Sequence, residues 1–164
     1  MAIMLPGEVS YLLNMIGFEW PEGNEDKIFE WSGRWMSYAG EVDGSSELAK
    51  KAASHALENN VGKAMEAFNT MFNESEGVAD IAQKLGTAGY VIGGCLIAIG
   101  VAVIALKIAF VVNLISLAIQ IAEAVAAAAV TFGASLAWIP IAREICKRLI
   151  EFAINFAVNK LMGG

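Results

Sequence analysis

The sequence predicts an all-α fold: an elongated helical hairpin joined to long apolar helices, packed as a helical bundle. Three observations predict it. Apolar residues recur at spacings of three and four along most of the chain, as on one face of a helix. Only three prolines interrupt 164 residues, and glycine or asparagine marks the points where one helical pattern gives way to the next. Residues 1–164 have the length of one domain, so a single helical domain is expected.

The first expected element is a short amphipathic helix within residues 6–20. Pro6 suits its first turn and Gly17 suits its end. Its apolar residues follow the i, i+3, i+4, i+7 pattern of a helix that covers a core: Val9, Leu12, Leu13 and Ile16. Pro21 and Gly23 then indicate a loop, after which the next helix should begin.

The pattern of residues 24–76 predicts a helical hairpin with aromatic and methionine contacts between its arms. The first arm should run from about Glu25 to Asn59, with fraying or a kink at Gly44. The turn between the arms is predicted at Asn60, Val61 and Gly62. Four aromatic residues on the arms are candidates for an interface with a partner: Trp31, Trp35, Phe68 and Phe72.

Residues 78–138 predict a long apolar helical segment. Between Leu85 and Ala142 there are 58 residues and only two charges, Lys107 and Glu123. The uncharged runs 85–106 and 124–142 are long enough to span a membrane, although a helix buried inside a bundle fits the same pattern. We expect Lys107 and Glu123 to make buried ionic or hydrogen-bonded contacts in a bundle; a partner contact or a polar pore lining is the alternative.

Polar residues in this segment fall on one narrow stripe of a continuous helix: Asn113, Ser116, Gln120, Glu123 and Thr131. A helix with one thin polar stripe and a wide apolar surface needs neighbouring helices or lipid around it. Lys107, Asn113, Gln120 and Glu123 are therefore candidate interface residues. Gly89 and Gly93 form a small-xxx-small pair, which fits close packing in any helical bundle as well as a membrane dimer face.

After Pro140 a final helix is expected over residues 141–161. Arg143, Glu144, Lys147 and Arg148 lie on its polar side, and Ile145, Leu149, Phe152 and Phe156 lie on its apolar side. This is the ordinary amphipathic pattern of a helix that covers a core.

The inventory for catalysis is poor, so no enzyme, cofactor or metal site is predicted. The single histidine, His55, is expected in a core or interface, and the two cysteines, Cys95 and Cys146, are expected to be buried and unpaired. The paired carboxylates Glu25 and Asp26 are expected to be a solvated cap at a helix start. None of the sequence motifs of nucleotide, serine-hydrolase or zinc sites occurs.

Charge is divided unevenly between the two halves of the chain. Residues 1–85 hold 6 Lys and Arg against 14 Asp and Glu, a net charge of −8, whereas residues 86–164 hold 5 against 3, a net charge of +2. The acidic half argues against nucleic acid as a partner. Met1 to Leu5 lacks a basic region and Pro6 breaks the first apolar run, so no cleavable signal peptide is expected.

Four features together resemble a known family. They are Pro6-Gly7-Glu8, the stretch Gly17 to Gly23 followed by Glu25-Asp26-Lys27, the alanine-rich apolar second half, and the segment Thr131 to Pro140. The chain is similar to the WXG-like N-terminal domain of large actinobacterial polymorphic toxins exported by type VII secretion, such as the channel protein that carries the tuberculosis necrotizing toxin. The resemblance covers nearly the whole chain.

The resemblance implies a non-catalytic targeting domain, made in the cytoplasm and delivered to the cell envelope or outside. It implies small helical WXG-like partner proteins, the type VII secretion machinery, and a downstream toxin domain that is not present in this chain. Since the chain stops at Gly163 and Gly164, it is expected to be an excised domain or a stand-alone relative. The alternative function is a membrane-inserting or pore-forming helical domain that delivers a toxin.

Two features depart from the family pattern. The predicted turn at Asn60-Val61-Gly62 lacks tryptophan, and the literal Trp31-Ser32-Gly33 lies inside the first arm. No tyrosine is followed four residues later by an acidic residue, because Met15, Val42 and Gly94 occupy those positions. If the chain is exported, a partner is therefore expected to supply the export signal.

Overall fold

A computed structural model of the chain describes residues 3–5 and 7–163. Its helices are α1 (Gly7–Met15), α2 (Glu25–Asn59), α3 (Lys63–Asn73), α4 (Val78–Ala127) and α5 (Trp138–Leu161), with a short 3₁₀-helix at Ala134–Ala137. The part of the chain that is described contains no strand. The predicted all-α class is therefore confirmed. The expected helix start at Pro6 and the chain end at Gly164 lie outside the described residues.

Two expectations about helix continuity are wrong. α2 is continuous through Gly44, so the expected fraying is wrong; the neighbouring Ser46 is buried, and burial of this kind can offset a propensity cost of about 1 kcal/mol. α4 ends at Ala127, so Thr131 does not continue the polar stripe. α5 begins at Trp138, which places Pro140 in its first turn, where proline is tolerated.

The chain packs as two compact units. We call Met1–Asp26 with Ala98–Gly164 the terminal unit, because it contains both ends of the sequence, and Lys27–Ile97 the hairpin unit. α2 and α4 each contribute residues to both units.

The core of the terminal unit forms where α1 and α5 pack on the second part of α4. Phe110, Leu114 and Leu117 of α4 are almost fully buried, and each such side chain contributes about 1.5–3 kcal/mol through removal from water. The other buried members of this cluster are Leu13, Ile16, Ala142, Cys146 and Ile150. α5 runs antiparallel to α4, since Cys146 Sγ lies 3.5 Å from the Asn113 carbonyl oxygen and Trp138 Nε1 donates to Gln120 Oε1 at 3.1 Å.

In the hairpin unit, α2 packs on the first part of α4 through small residues. Ser32, Ala39, Ser46 and Ala53 are buried at seven-residue intervals along α2. Opposite them a β-carbon added at Gly89 would lie 3.0 Å from the Ala39 Cβ, and one added at Gly93 would lie 2.8 Å from the Met36 Cγ. Ser32 Oγ donates to the Gly93 carbonyl oxygen at 2.8 Å. Gly89 and Gly93 thus serve close packing within one chain, and the sequence did not predict this pairing of α2 with α4.

Candidate partner-docking surface

Lys107 is enclosed in the terminal unit despite its position in an apolar helix. Its side chain is 2% exposed, and its Nζ donates to Glu25 Oε2 and to the Gly23 carbonyl oxygen, both at 2.7 Å. The ring of Trp20 lies 5.8 Å from the same nitrogen. Glu25 also accepts a hydrogen bond from the Ile3 N–H. One buried ion pair therefore joins the N-terminal segment, the loop before α2 and the middle of α4.

The environment of Glu25 strongly favours its ionised form. The hydrogen bond from Lys107 lowers the pKa of the Glu25 carboxyl from 4.5 to about 2, and the backbone N–H of Ile3 acts in the same direction. The expectation that Glu25 is a solvated cap is wrong, because the residue is only 3% exposed. A lone lysine in an apolar stretch needs a buried counter-charge, which indicates that one of the acids is buried but not which one.

The outcome for the two isolated charges of the apolar segment differs. The buried ionic contact expected for Lys107 is confirmed. The same expectation is wrong for Glu123, which is exposed on the surface of α4. A contact of either residue with a partner protein stays a prediction, and for Lys107 the ammonium group already has two partners within the unit.

The polar residues of α4 flank its junction with α5. Asn113 is half-buried and its Nδ2 donates to the Ala109 carbonyl oxygen at 2.8 Å. Gln120 accepts from Trp138 Nε1 and donates from Nε2 to Ser116 Oγ at 3.3 Å. These side chains therefore satisfy hydrogen bonds within the unit and leave most of the outer surface of α4 apolar.

A row of aliphatic residues runs along the outer surface of α4 in the terminal unit. We call it the outer stripe, and each member is about half exposed: Val101, Ile108, Val112, Ile115 and Ile119. Their spacings of seven, four, three and four residues are those of a seam that packs against another helix. In the described chain these side chains remain open to solvent, which is costly for branched aliphatic groups.

A groove between α4 and α5 lies in the same unit. Its volume is about 700 Å³, and alanines form much of its floor, including Ala102, Ala105, Ala153 and Ala157. Phe152 and Phe156 border it, stacked with ring centroids 6.4 Å apart, and are 69% and 62% exposed. Lys160 and Asn113 are the polar side chains among the residues that line it. Its mostly apolar lining suits the apolar side chains of another helix.

The aromatic residues expected at a partner interface in the hairpin unit lie on two helices. Trp31 is 54% exposed beneath the Arg34 guanidinium, and Trp35 lies edge-on to Tyr38. Trp31 and Trp35 line a shallow cleft of about 320 Å³ in this unit. On α3, Phe68 and Phe72 are half-buried with ring centroids 5.8 Å apart.

The residues predicted to form the hairpin turn lie between α2 and α3. Asn60 donates through Nδ2 to the Ala56 carbonyl oxygen at 2.9 Å, and Val61 is 95% exposed. Gly62 has a φ of 113°, a value that residues with a β-carbon rarely adopt. The local backbone explains why glycine stands at this position.

The remaining predictions concern the single histidine and the two cysteines. His55 is exposed and lies beside Asn59, so a core position is wrong, and the other expectation, a place in an interface, stays a prediction. Cys146 is buried as expected, whereas Cys95 is exposed. Among the residues that are described, no group of three His, Cys, Asp or Glu side chains is placed to hold a metal ion.

One helical region, Lys63–Ala127, contains a stretch long and apolar enough to cross a membrane by length and composition. Only 17% of its most apolar 18-residue window is buried within the protein. A core helix of a water-soluble protein passes the same composition test, but such a helix is mostly buried. The low burial means that a large apolar surface of this region is exposed.

Comparison with known proteins places the chain in one family. The family described as "WXG100 like domain" matches residues 4–149. No curated protein and no solved structure matches the chain. The matched range spans α1 to the middle of α5 and includes the outer stripe, the Glu25–Lys107 pair and both predicted arms of the hairpin. Since it also covers well over half of the sequence, the chain belongs to the WXG100-like domain family.

Proposed function

We propose that this chain is the targeting and interaction domain of a toxin exported by type VII secretion. Proteins of the WXG100-like family are helical, associated with type VII secretion, and generally non-enzymatic. They interact with partner helical proteins and with the secretion system. The finer role proposed for this chain is to bind one or two small WXG-like helical proteins in the cytoplasm and to present a downstream toxin domain for export.

The outer stripe carries the partner-binding part of this proposal. Its aliphatic side chains repeat at coiled-coil spacing and are half exposed, whereas the opposite side of α4 is filled by Phe110, Leu114 and Leu117. A second helix laid along the stripe would remove these side chains from water, and Phe152 and Phe156 could extend the contact through the groove.

The test is expression of the full chain alone and together with small helical WXG-like proteins from the same organism. Size-exclusion chromatography with light scattering should show a heterogeneous or aggregated chain in isolation, and a single complex of defined stoichiometry after co-expression. Co-expression with an unrelated soluble helical protein of similar size is the control. A monodisperse chain that needs no partner would refute the pairing.

A membrane-inserting or pore-forming domain is the alternative function. It is favoured by one observation, the low burial of the most apolar window of α4. Residues 85–106, which lie within α4, would then enter the bilayer, whereas the second predicted span, 124–142, is interrupted by the end of α4 at Ala127 and is not one helix. Dye release from lipid vesicles tests this alternative, and vesicles that stay intact over a range of pH and lipid composition would exclude it.

A further inference from the structure

The connection between α4 and α5 presents an aromatic side chain to solvent in an unfavourable backbone conformation. Phe132 has a φ of 51° and Gly133 a φ of 84°, so both lie in the left-handed region. Glycine adopts this region without strain, and a residue with a β-carbon does not. The Phe132 side chain is 99% exposed, so no packing within the chain offsets the strain.

Hydrogen bonds that do not involve the Phe132 side chain hold this turn in place. Ser135 Oγ donates to the Ala124 carbonyl oxygen at 2.6 Å, and Thr131 Oγ1 donates to the Ala127 carbonyl oxygen at 2.9 Å. The Gly133 N–H donates to the Ala128 carbonyl oxygen at 2.8 Å. These bonds satisfy carbonyl groups that the end of α4 would otherwise leave unpaired. Folding therefore does not require a phenylalanine at position 132.

Other apolar residues make the turn a patch rather than a single exposed ring. Val130 is 82% exposed, and Trp138 and Leu136 are 46% and 42% exposed. We call Val130, Phe132, Leu136 and Trp138 the α4–α5 tip. The tip itself carries no charge; the exposed Glu123 precedes the uncharged stretch 124–142, and Arg143 follows it.

Cationic residues follow the tip at a short distance along α5. Arg143, Lys147 and Arg148 lie in the first three turns, and Arg148 pairs with Glu144 at 3.0 Å, which leaves Arg143 and Lys147 as the cations of this stretch. Arg143 stands five residues after the start of α5, which places it about 7.5 Å along the helix axis. With the axis of α5 along the membrane normal, this separation would equal a depth of about 5–10 Å, to which amphipathic elements enter the headgroup region of a bilayer.

We propose that the α4–α5 tip docks on the surface of a membrane that contains anionic lipid. Val130 and Phe132 enter the boundary between headgroups and acyl chains, and Trp138 lies at headgroup level, where tryptophan is enriched. Arg143 and Lys147 meet the anionic headgroups. From the tip along α5 the patch is first apolar, then amphipathic at Trp138, then cationic. A bilayer presents acyl chains, the headgroup boundary and anionic headgroups in the same order. This docking requires neither the partner pairing nor the toxin role.

The experiment is flotation of the full chain with vesicles of phosphatidylcholine alone or mixed with phosphatidylglycerol. Phe132→Asn removes the ring but keeps a residue that tolerates the left-handed region. We expect the mixed vesicles to bind the wild type more strongly than phosphatidylcholine alone, and Phe132→Asn to weaken that binding about tenfold or more, the effect of losing one buried aromatic side chain. Val61→Asn, at an equally exposed turn, is the matched control and should bind as the wild type does.

A second readout separates the tip from general adhesion of the apolar chain. In a Cys95→Ser background, which removes the exposed cysteine, Phe132→Cys and Val61→Cys each carry an environment-sensitive fluorophore. The emission of the label at position 132 should shift to the blue on mixed vesicles, and that at position 61 should stay unchanged. Equal shifts at both positions, or wild-type binding by Phe132→Asn, would overturn the proposal. It would also fail if Phe132→Asn abolished binding of a helical partner but left vesicle binding intact.

Discussion

Glu25 and Lys107 couple the charge state of one residue to the stability of the terminal unit. The carboxylate receives hydrogen bonds from Lys107 and from the Ile3 N–H, so its ionised form holds three segments together. The folded protein therefore binds a proton at Glu25 less readily than the unfolded chain does, and stability depends on pH wherever the two states differ in bound protons.

The pH dependence has a definite sign. Because the pKa of Glu25 falls from 4.5 to about 2 on folding, its contribution is fully present above the higher value and is lost as the pH falls towards the lower one. Glu25→Gln should lower the urea midpoint at neutral pH, and the difference from the wild type should shrink at a pH near 2. A difference of equal size at both pH values would contradict the assigned role of the pair.

Asp80 supplies the control for this experiment. Its pKa is also lowered, first by a hydrogen bond from Lys84 at 2.7 Å, but both side chains are substantially exposed. Exposed pairs contribute little and are screened by salt. Asp80→Asn should therefore change the urea midpoint less than Glu25→Gln, and added salt should weaken only the Asp80 effect.

For single residues, the sequence predicts what kind of contact a side chain makes better than it predicts where that side chain lies in the fold. A lone lysine in an apolar stretch indicates a buried ionic contact, and Lys107 makes one. The identity of its partner could not be predicted, because Glu25 is 82 residues away and only the fold brings the two together. The exposure of His55 and Cys95 was missed for a related reason. Helical spacing shows which residues share a face, but not which face is covered.

At the scale of elements, helix starts and stops with proline, glycine or asparagine signals were predictable. The observed α2, Glu25–Asn59, has the predicted bounds. The end of α4 at Ala127 was not predictable, since the alanine-rich run after it favours helix and the stop depends on the backbone at Phe132 and Gly133. The packing of α2 on α4 was also missed, because glycines in an apolar helix indicate close approach without naming the neighbour.

Two glycines of α4 allow a direct test of this packing. A β-carbon at Gly89 would lie 3.0 Å from the Ala39 Cβ and 3.3 Å from the Trp35 carbonyl oxygen, whereas one at Gly94 meets nothing within 4 Å. Gly89→Ala should lower the free energy of unfolding by about 1–3 kcal/mol through overpacking. Gly94→Ala should raise it by about 0.5–1 kcal/mol, because alanine favours the helix. Urea denaturation measures both, and equal effects at the two positions would contradict the close pairing of α2 with α4.

At the scale of the whole molecule, the apolar second half has two different surfaces. One side of α4 is covered in the terminal unit by α1 and α5, with Leu13, Phe110 and Ile150 in the shared core. The outer stripe on the other side remains exposed. The bulk composition predicted that this half must be covered, but it did not distinguish the side that the chain covers itself from the side that it leaves open. The structure thus identifies which apolar residues of this half remain exposed, namely those of the outer stripe.

The outer stripe gives the last prediction. The double variant Ile108→Gln/Ile115→Gln should make the isolated chain less prone to self-association and should abolish co-purification of a helical partner, because both side chains are about half exposed in the middle of the stripe. Its thermal stability should stay close to that of the wild type, since exposed substitutions usually change stability by about 0.5 kcal/mol or less. Ile81→Gln/Val91→Gln is the matched control, with similar exposure on the part of α4 that belongs to the hairpin unit. Pull-down measures binding of the partner, and light scattering measures self-association. If the stripe variant retains the partner while the control loses it, the docking surface lies in the hairpin unit, and the outer stripe must have another role.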